Sequence, residues 1–254
     1  MTSTARTLLR AEHLVKEFAV SGTGGLFAKA DRFRAVDDVS LDVYSGETLA
    51  LVGESGSGKS TTARLVARLM PLTSGSISFD GRDVADISGR ELHAFRSEVQ
   101  VIFQDPYSSL NPRHTVERLV TAPLVYQRRA IPGGVRAFTR ELMERVGLNP
   151  DHSTRYPWQF SGGQAQRIGI ARALAVRPRL VIADEAVSAL DVSVQAQVIN
   201  LLKRLQREEG FSYLFIAHDL AVVRQIADRV AVMHTGRIVE TGERDAIFDA
   251  PKDP

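Results

Sequence analysis

Thr48-Leu49-Ala50-Leu51-Val52-Gly53-Glu54-Ser55-Gly56-Ser57-Gly58-Lys59-Ser60-Thr61 passes from an apolar run through a glycine-rich loop into a helix start. From Gly53 to Ser60 it fits G-x-x-x-x-G-K-[ST]. Phosphate binding asks for this order. Glycines let the backbone wind until successive N–H groups converge on phosphate oxygens, and the following helix N-terminus adds partial positive charge. Lys59 can reach β- and γ-phosphates, and the Ser60 hydroxyl can ligate Mg²⁺. The plain alternative is a flexible serine–glycine turn; at average composition a chance match in a chain this long is about one in a hundred. Gly53, Glu54, Ser55, Gly56, Ser57, Gly58, Lys59, Ser60 and Thr61 are therefore the candidate nucleotide-binding residues. Apolar residues at helical spacing predict a helix from Lys59 to about Met70, stopped by Pro71.

Two further apolar runs end in reactive residues. Leu180-Val181-Ile182-Ala183 runs into Asp184-Glu185, and Tyr213-Leu214-Phe215-Ile216-Ala217 runs into His218-Asp219. Parallel sheets place ligands outside the carboxyl ends of their strands, so three such runs point to one shared site. Asp184 can hold Mg²⁺ through water, and Glu185 can act as general base on an attacking water. Short β-branched runs alternating with helical stretches read as α/β with a largely parallel sheet. Asp105 to Val176 is polar, arginine-rich and helical, a lobe inserted into that core. The first fifty residues and Arg229–Gly242 read as short antiparallel strands, with a hairpin turn at His234-Thr235-Gly236-Arg237. Residues 20–34, glycine-rich and basic, read as an exposed loop.

Composition narrows the classes. The 254 residues contain no cysteine, which excludes disulfides, thiolate catalysis and cysteine-held metal or cluster sites. Lys+Arg 32 against Asp+Glu 30 is too nearly balanced to indicate a nucleic-acid partner. No apolar run approaches the roughly 18 residues needed to span a bilayer. Residues 1–12 lack the apolar middle of a signal peptide, which predicts a chain that stays in the cytoplasm.

Phe160-Ser161-Gly162-Gly163-Gln164, followed by Ala165-Gln166-Arg167-Ile168-Gly169-Ile170-Ala171-Arg172-Ala173-Leu174, closely resembles the signature segment of ABC-type ATPases. Phe160 stands where that segment usually has leucine. Taken alone, the segment is equally compatible with an ordinary N-cap with glycines before an amphipathic helix. The remaining motifs of the family follow in order. Gln104, after Gln100-Val101-Ile102-Phe103, resembles the Q-loop glutamine that contacts metal and water. Ser188-Ala189-Leu190-Asp191 resembles the D-loop, and His218 the switch histidine at the γ-phosphate. The aromatic expected to stack on adenine is Phe18, in Val-Lys-Glu-Phe, with Phe33 as competitor. The resemblance covers residues 8–250. It implies a P-loop NTPase (RecA-like) core with a mainly parallel sheet, an N-terminal antiparallel β subdomain and an inserted helical subdomain at about 105–176.

Phe103-Gln104-Asp105-Pro106-Tyr107-Ser108-Ser109-Leu110-Asn111-Pro112-Arg113 and Asp184-Glu185-Ala186-Val187-Ser188-Ala189-Leu190-Asp191-Val192-Ser193-Val194-Gln195-Ala196-Gln197 are similar to the oligopeptide/dipeptide/nickel importer ATPases. Members usually continue past the stretch matching Ala250-Pro251 into a tail, whose roles are not carried over. The resemblance implies a motor subunit of a bacterial importer for peptides or a related small solute such as nickel. ATP with Mg²⁺ is implied between one subunit's phosphate loop and the other's Ser161, Gly162, Gly163 and Gln164. Ser60, Gln104 and Asp184 are the implied metal residues, and Glu185, His218 and Gln104 the catalytic ones. The implied partners are a second ATPase subunit (sister or identical chain), two transmembrane permease subunits and an extracytoplasmic solute-binding protein. The implied place is peripheral, on the cytoplasmic face of the inner membrane. Tyr107 and Leu110 are expected on the surface that meets the permease. A non-transport ABC ATPase acting on nucleic acid or ribosomes is the alternative; coiled-coil arms, zinc modules and basic aromatic patches that would favour it are missing from this sequence.

Overall fold

The computed structural model describes residues 6–20 and 31–252. Strands β1 (Thr7–Val20) and β2 (Asp31–Tyr44) pair antiparallel. They are long rather than short, and residues 31–34, expected in a loop, belong to β2. Residue 20 ends β1, and the remainder of that expected loop, 21–30, lies outside the described residues. After β3 (Thr48–Val52) comes α1 (Lys59–Val66), which stops earlier than expected. Arg68 takes a left-handed backbone, φ 52°, and ends the helical turns before Pro71 is reached.

Next come β4 (Ser74–Phe79), β5 (Arg82–Asp83), α2 (Gly89–Glu98) and β6 (Val99–Ile102). Between β6 and the next strand the described chain is helical: α3 (Pro106–Ser109), α4 (Val116–Tyr126), α5 (Val135–Arg145), two 3₁₀ turns, and α6 (Gly162–Leu174). Then follow β7 (Leu180–Asp184), α7 (Val192–Glu209), β8 (Ser212–Ile216) and α8 (Leu220–Ile226). The hairpin β9 (Arg229–His234) and β10 (Arg237–Glu243) turns at Thr235-Gly236 as expected, and α9 (Arg244–Asp249) ends the chain's regular structure.

The strands form two sheets, one ordered β2-β1-β4-β5 and one ordered β10-β9-β3-β8-β7-β6. Within the larger sheet β9, β3, β8, β7 and β6 run parallel, and β10 is antiparallel at the edge. Every residue of β3, β7 and β8 is buried. Side chains alternate across a strand, so each strand feeds two cores. Ala50, Val181 and Phe215 pack with α4, α6 and α7 on one face. Leu49, Ile182 and Leu214 pack with α1, β1 and β4 on the other. Helix α1 is thus held between the two sheets, and its N-terminus is fixed where β3 ends.

Candidate functional site

Strand register builds the site. Leu51 and Asp184 both pair with Ile216, and Ile102 pairs with Ala183. The segments carrying Gly53, Gln104, Asp184-Glu185 and His218 therefore leave one edge of the sheet side by side, as expected for ligand sites on parallel sheets.

The phosphate loop is packed too closely for side chains at its two ends. A Cβ at Gly53, φ 149°, would sit 2.0 Å from the Met233 carbonyl oxygen, and one at Gly58, φ 105°, 2.4 Å from the Ala35 carbonyl oxygen. Gly236 braces the loop from the β9–β10 turn. Its N–H donates to the Ser57 carbonyl at 2.9 Å, and its own carbonyl accepts from the Asp37 N–H at 2.8 Å. Nothing in the sequence beyond the turn signal marked that contact. A cleft of about 680 Å³ borders the loop, with Gly53, Glu54 and His218 on one side and Val232, Val239 and Phe248 on another.

Lys59 is 4% exposed and curls under the loop, its Nζ donating to the carbonyl oxygens of Gly53 (2.9 Å) and Glu54 (2.6 Å). Burial lowers its pKa below the ordinary lysine value, and the carboxylates of Glu185 and Asp184 oppose that shift. Ser60 Oγ donates to Asp184 Oδ1 at 2.7 Å. Burial raises the Asp184 carboxyl above its usual value, with the Ser60 hydrogen bond working against it. Both shifts register charged groups held partly out of water. Among the described residues, no three His, Cys, Asp or Glu side chains gather as a metal group. The protein's own donors at this point are one hydroxyl and one carboxylate. This all-oxygen pair fits Mg²⁺, which keeps most of its places for water and phosphate.

Glu185 sits just beyond β7 with φ 49°, its N–H donating to the Ile216 carbonyl at 3.1 Å. Its Oε1 lies 3.5 Å from His218 Nδ1. Gln104 Nε2 donates to Ser188 Oγ at 3.2 Å, and that hydroxyl donates to the Glu185 carbonyl at 3.0 Å. Thus Gln104, Ser188, Glu185 and His218 form one chain of contacts, while Ser60 and Asp184 form another. No hydrogen bond joins Gln104 to Ser60 or Asp184 among the described residues. Thr61 lies in the first turn of α1.

Ser161 caps α6 in a reciprocal arrangement: its Oγ accepts from the Gln164 N–H, and Gln164 Oε1 accepts from the Ser161 N–H. A Cβ at Gly163 would meet Val194 Cγ1 of α7 at 2.4 Å, so glycine lets the two helix starts approach. Among the described residues, no hydrogen bond links Ser161–Gln164 to the loop Gly53–Thr61. Phe18 and Phe33 are cross-strand partners and share a face, both exposed, so the two aromatics stand together.

One expectation fails here. Tyr107 is 43% exposed, but Leu110 is 1% exposed and sits in the core with α4 and α6. Leu110 cannot meet a partner. Leu110→Ala is expected to cost about 2–5 kcal/mol of stability through the cavity it leaves, read by denaturant unfolding; a loss under about 0.5 kcal/mol would contradict that packing.

A family model described as ABC transporter matches residues 36–188. The probable peptide ABC transporter ATP-binding protein y4tS of Sinorhizobium fredii is 51% identical over 247 residues, 97% of this chain and 70% of that protein. The glutathione import ATP-binding protein GsiA of Escherichia coli is 52% identical over 249 residues, covering 97% of this chain but only 40% of that protein. Among solved structures, the ATP-binding cassette MJ0796, dimeric in a post-hydrolysis state with ADP and Pi, matches with TM-score 0.79 at 28% identity. That match covers 93% of this chain and 99% of that one. The fold of cbiO1 from Clostridium perfringens, part of the transporter complex cbiONQ, matches with TM-score 0.80 at 24% identity, over 96% of this chain and 92% of that one.

Proposed function

Because the chain belongs to the ABC transporter family of ATPases, we propose that it is the motor subunit of a bacterial importer for peptides or a related small solute. The observation that carries this reading is a separation. Lys59, the Ser60–Asp184 pair and the Glu185–His218 pair meet at one sheet edge, whereas among the described residues Ser161–Gln164 form no hydrogen bond to any of them. Each chain then offers two half-sites, and turnover needs a second ATPase subunit, sister or identical. The names of y4tS and GsiA support peptide-like cargo, as does the resemblance of Phe103–Arg113.

Each residue has a defined task. Lys59 releases the loop carbonyls and faces the β- and γ-phosphates. Ser60 and Asp184, with Gln104 released from Ser188, would hold Mg²⁺, which would supply positive charge to the phosphate oxygens. Glu185 takes the proton of the attacking water, and His218 steadies the γ-phosphate. Phe18, with Phe33 beside it, stacks on adenine. The ATPase unit spans residues 8–250, with the helical subdomain at about 105–176.

Among the described residues no helix is long and apolar enough to cross a membrane. Two permease subunits would supply the spanning segments and an extracytoplasmic binding protein would deliver solute, with this chain peripheral on the cytoplasmic face. No nucleic acid takes part. The direct test is affinity capture of the chain from membranes and identification of its partners, with phosphate release measured without any acceptor. Partners lacking a permease, or phosphate passed to an acceptor, would overturn the proposal.

Ser161→Arg is expected to leave nucleotide affinity of the lone chain within about twofold and to cut hydrolysis in the complex by more than about 100-fold. The rationale is the loss of preorganised charge stabilisation at the facing site. An equal loss of binding in the isolated chain would put the segment in its own site instead.

A further inference from the structure

The peptide unit between Phe160 and Ser161 is held at both edges. On one edge the Tyr107 hydroxyl donates to the Phe160 carbonyl oxygen at 2.8 Å. On the other the Ser161 N–H donates to Gln164 Oε1 at 3.0 Å. A peptide unit is planar, so fixing the carbonyl fixes the N–H and the backbone from which Ser161 projects. The Phe160 carbonyl lies outside the helix's own ladder, whose first acceptor is the Ser161 carbonyl, bonded to the Ala165 N–H at 2.8 Å. Tyr107 is its one hydrogen-bond donor among the described residues.

Two more bonds bind the same segment to α6. Gln166 Nε2, from a side chain 1% exposed, donates to the Phe103 carbonyl at 3.4 Å. Arg172 Nη1 donates to the Ser109 carbonyl at 2.5 Å. Helix α3 and its flanks therefore lie along α6 from its cap to its last turn, and Tyr107 is the bond at the cap.

We infer that Tyr107 is a positioning residue for Ser161: its hydroxyl sets the peptide plane of the helix cap and thereby governs hydrolysis at the opposing subunit's nucleotide. The inference rests on the reading that Ser161–Gln164 serve the partner's site. It concerns the hydroxyl and not the half-exposed ring.

Tyr107→Phe keeps the ring and removes one oxygen. In the assembled transporter, kcat for ATP hydrolysis is expected to fall about fivefold with KM for ATP unchanged within twofold. In the isolated full chain, amide exchange over residues 160–164 should quicken about fivefold, with exchange elsewhere unaltered. Fivefold is the population change that one ordinary hydrogen bond carries. Unchanged exchange over 160–164 overturns the inference, and so does a rise in KM with kcat intact. A slowing seen only with Tyr107→Leu, and not with Tyr107→Phe, assigns the effect to ring packing and also overturns it. Ser161→Arg runs alongside: hydrolysis that survives it defeats the partner-site reading itself, a result separate from the exchange measurement on Tyr107.

Discussion

Glu185→Gln is expected to slow phosphate release in the assembled complex by about 10²–10⁴-fold, the usual contribution of a general base, while ATP stays bound. An amide cannot take a proton from water. Its shape still reaches the His218 ring, which lies 3.5 Å from the present carboxylate. Lys59, Ser60 and Asp184 are untouched, so nucleotide affinity should hold within a few-fold. The complex should accumulate with ATP occluded, because in the proposed cycle opening follows hydrolysis. If the partner is a sister ATPase with its own base, one site continues and the block is partial. The measurement is phosphate release and retained ATP, with and without the substitution. Near-normal release and no trapped nucleotide, in a complex holding two copies of this chain, would refute Glu185 as the base.

Lys59→Ala should weaken ATP binding about 10–100-fold, the effect of losing a charge-assisted hydrogen bond worth roughly 1.5–3 kcal/mol, and abolish turnover. The substitution also removes the donor that serves the carbonyls of Gly53 and Glu54, so the loop loses this internal tie. Lys59→Met, which keeps most of the volume, separates the two effects: it should restore packing and melting temperature but not ATP affinity. Titration of a fluorescent ATP analogue into each variant reads the affinity. Hydrolysis that proceeds unchanged in either variant would remove the phosphate-loop assignment.

Much of this architecture is legible in the amino-acid order, for a physical reason. Strands buried on both faces read as unbroken apolar runs, and β3, β7 and β8 are such strands. The long strands β1 and β2 look short in the sequence because their alternation is broken. Their pairing shifts register between Ala11 and Leu14 and again near Lys16, with left-handed residues at His13 and Asp38. Each shift flips the following side chains relative to the preceding pattern. The segment after Gln104 shows a different limit. Tyr107 and Leu110 sit three residues apart, yet one is half-exposed and the other buried. In a helix of four residues no periodicity exists to say which face turns inward. The hydrogen bonds Gly236–Ser57 and Tyr107–Phe160 join residues 179 and 53 positions apart. Local patterns carry no information about such pairs.

Glu185 stands in a left-handed backbone, a conformation that costs an L-residue about 1–2 kcal/mol and that glycine and asparagine tolerate more easily. Protein engineers inherit this conflict. A library selected only for heat resistance is drawn toward relief of such strain, and codon 185 offers it at once. Winners carrying asparagine or glycine there would survive the heat step with the proposed proton acceptor discarded. Thermostabilisation of this chain should therefore hold codon 185 constant and spend its diversity on the two cores.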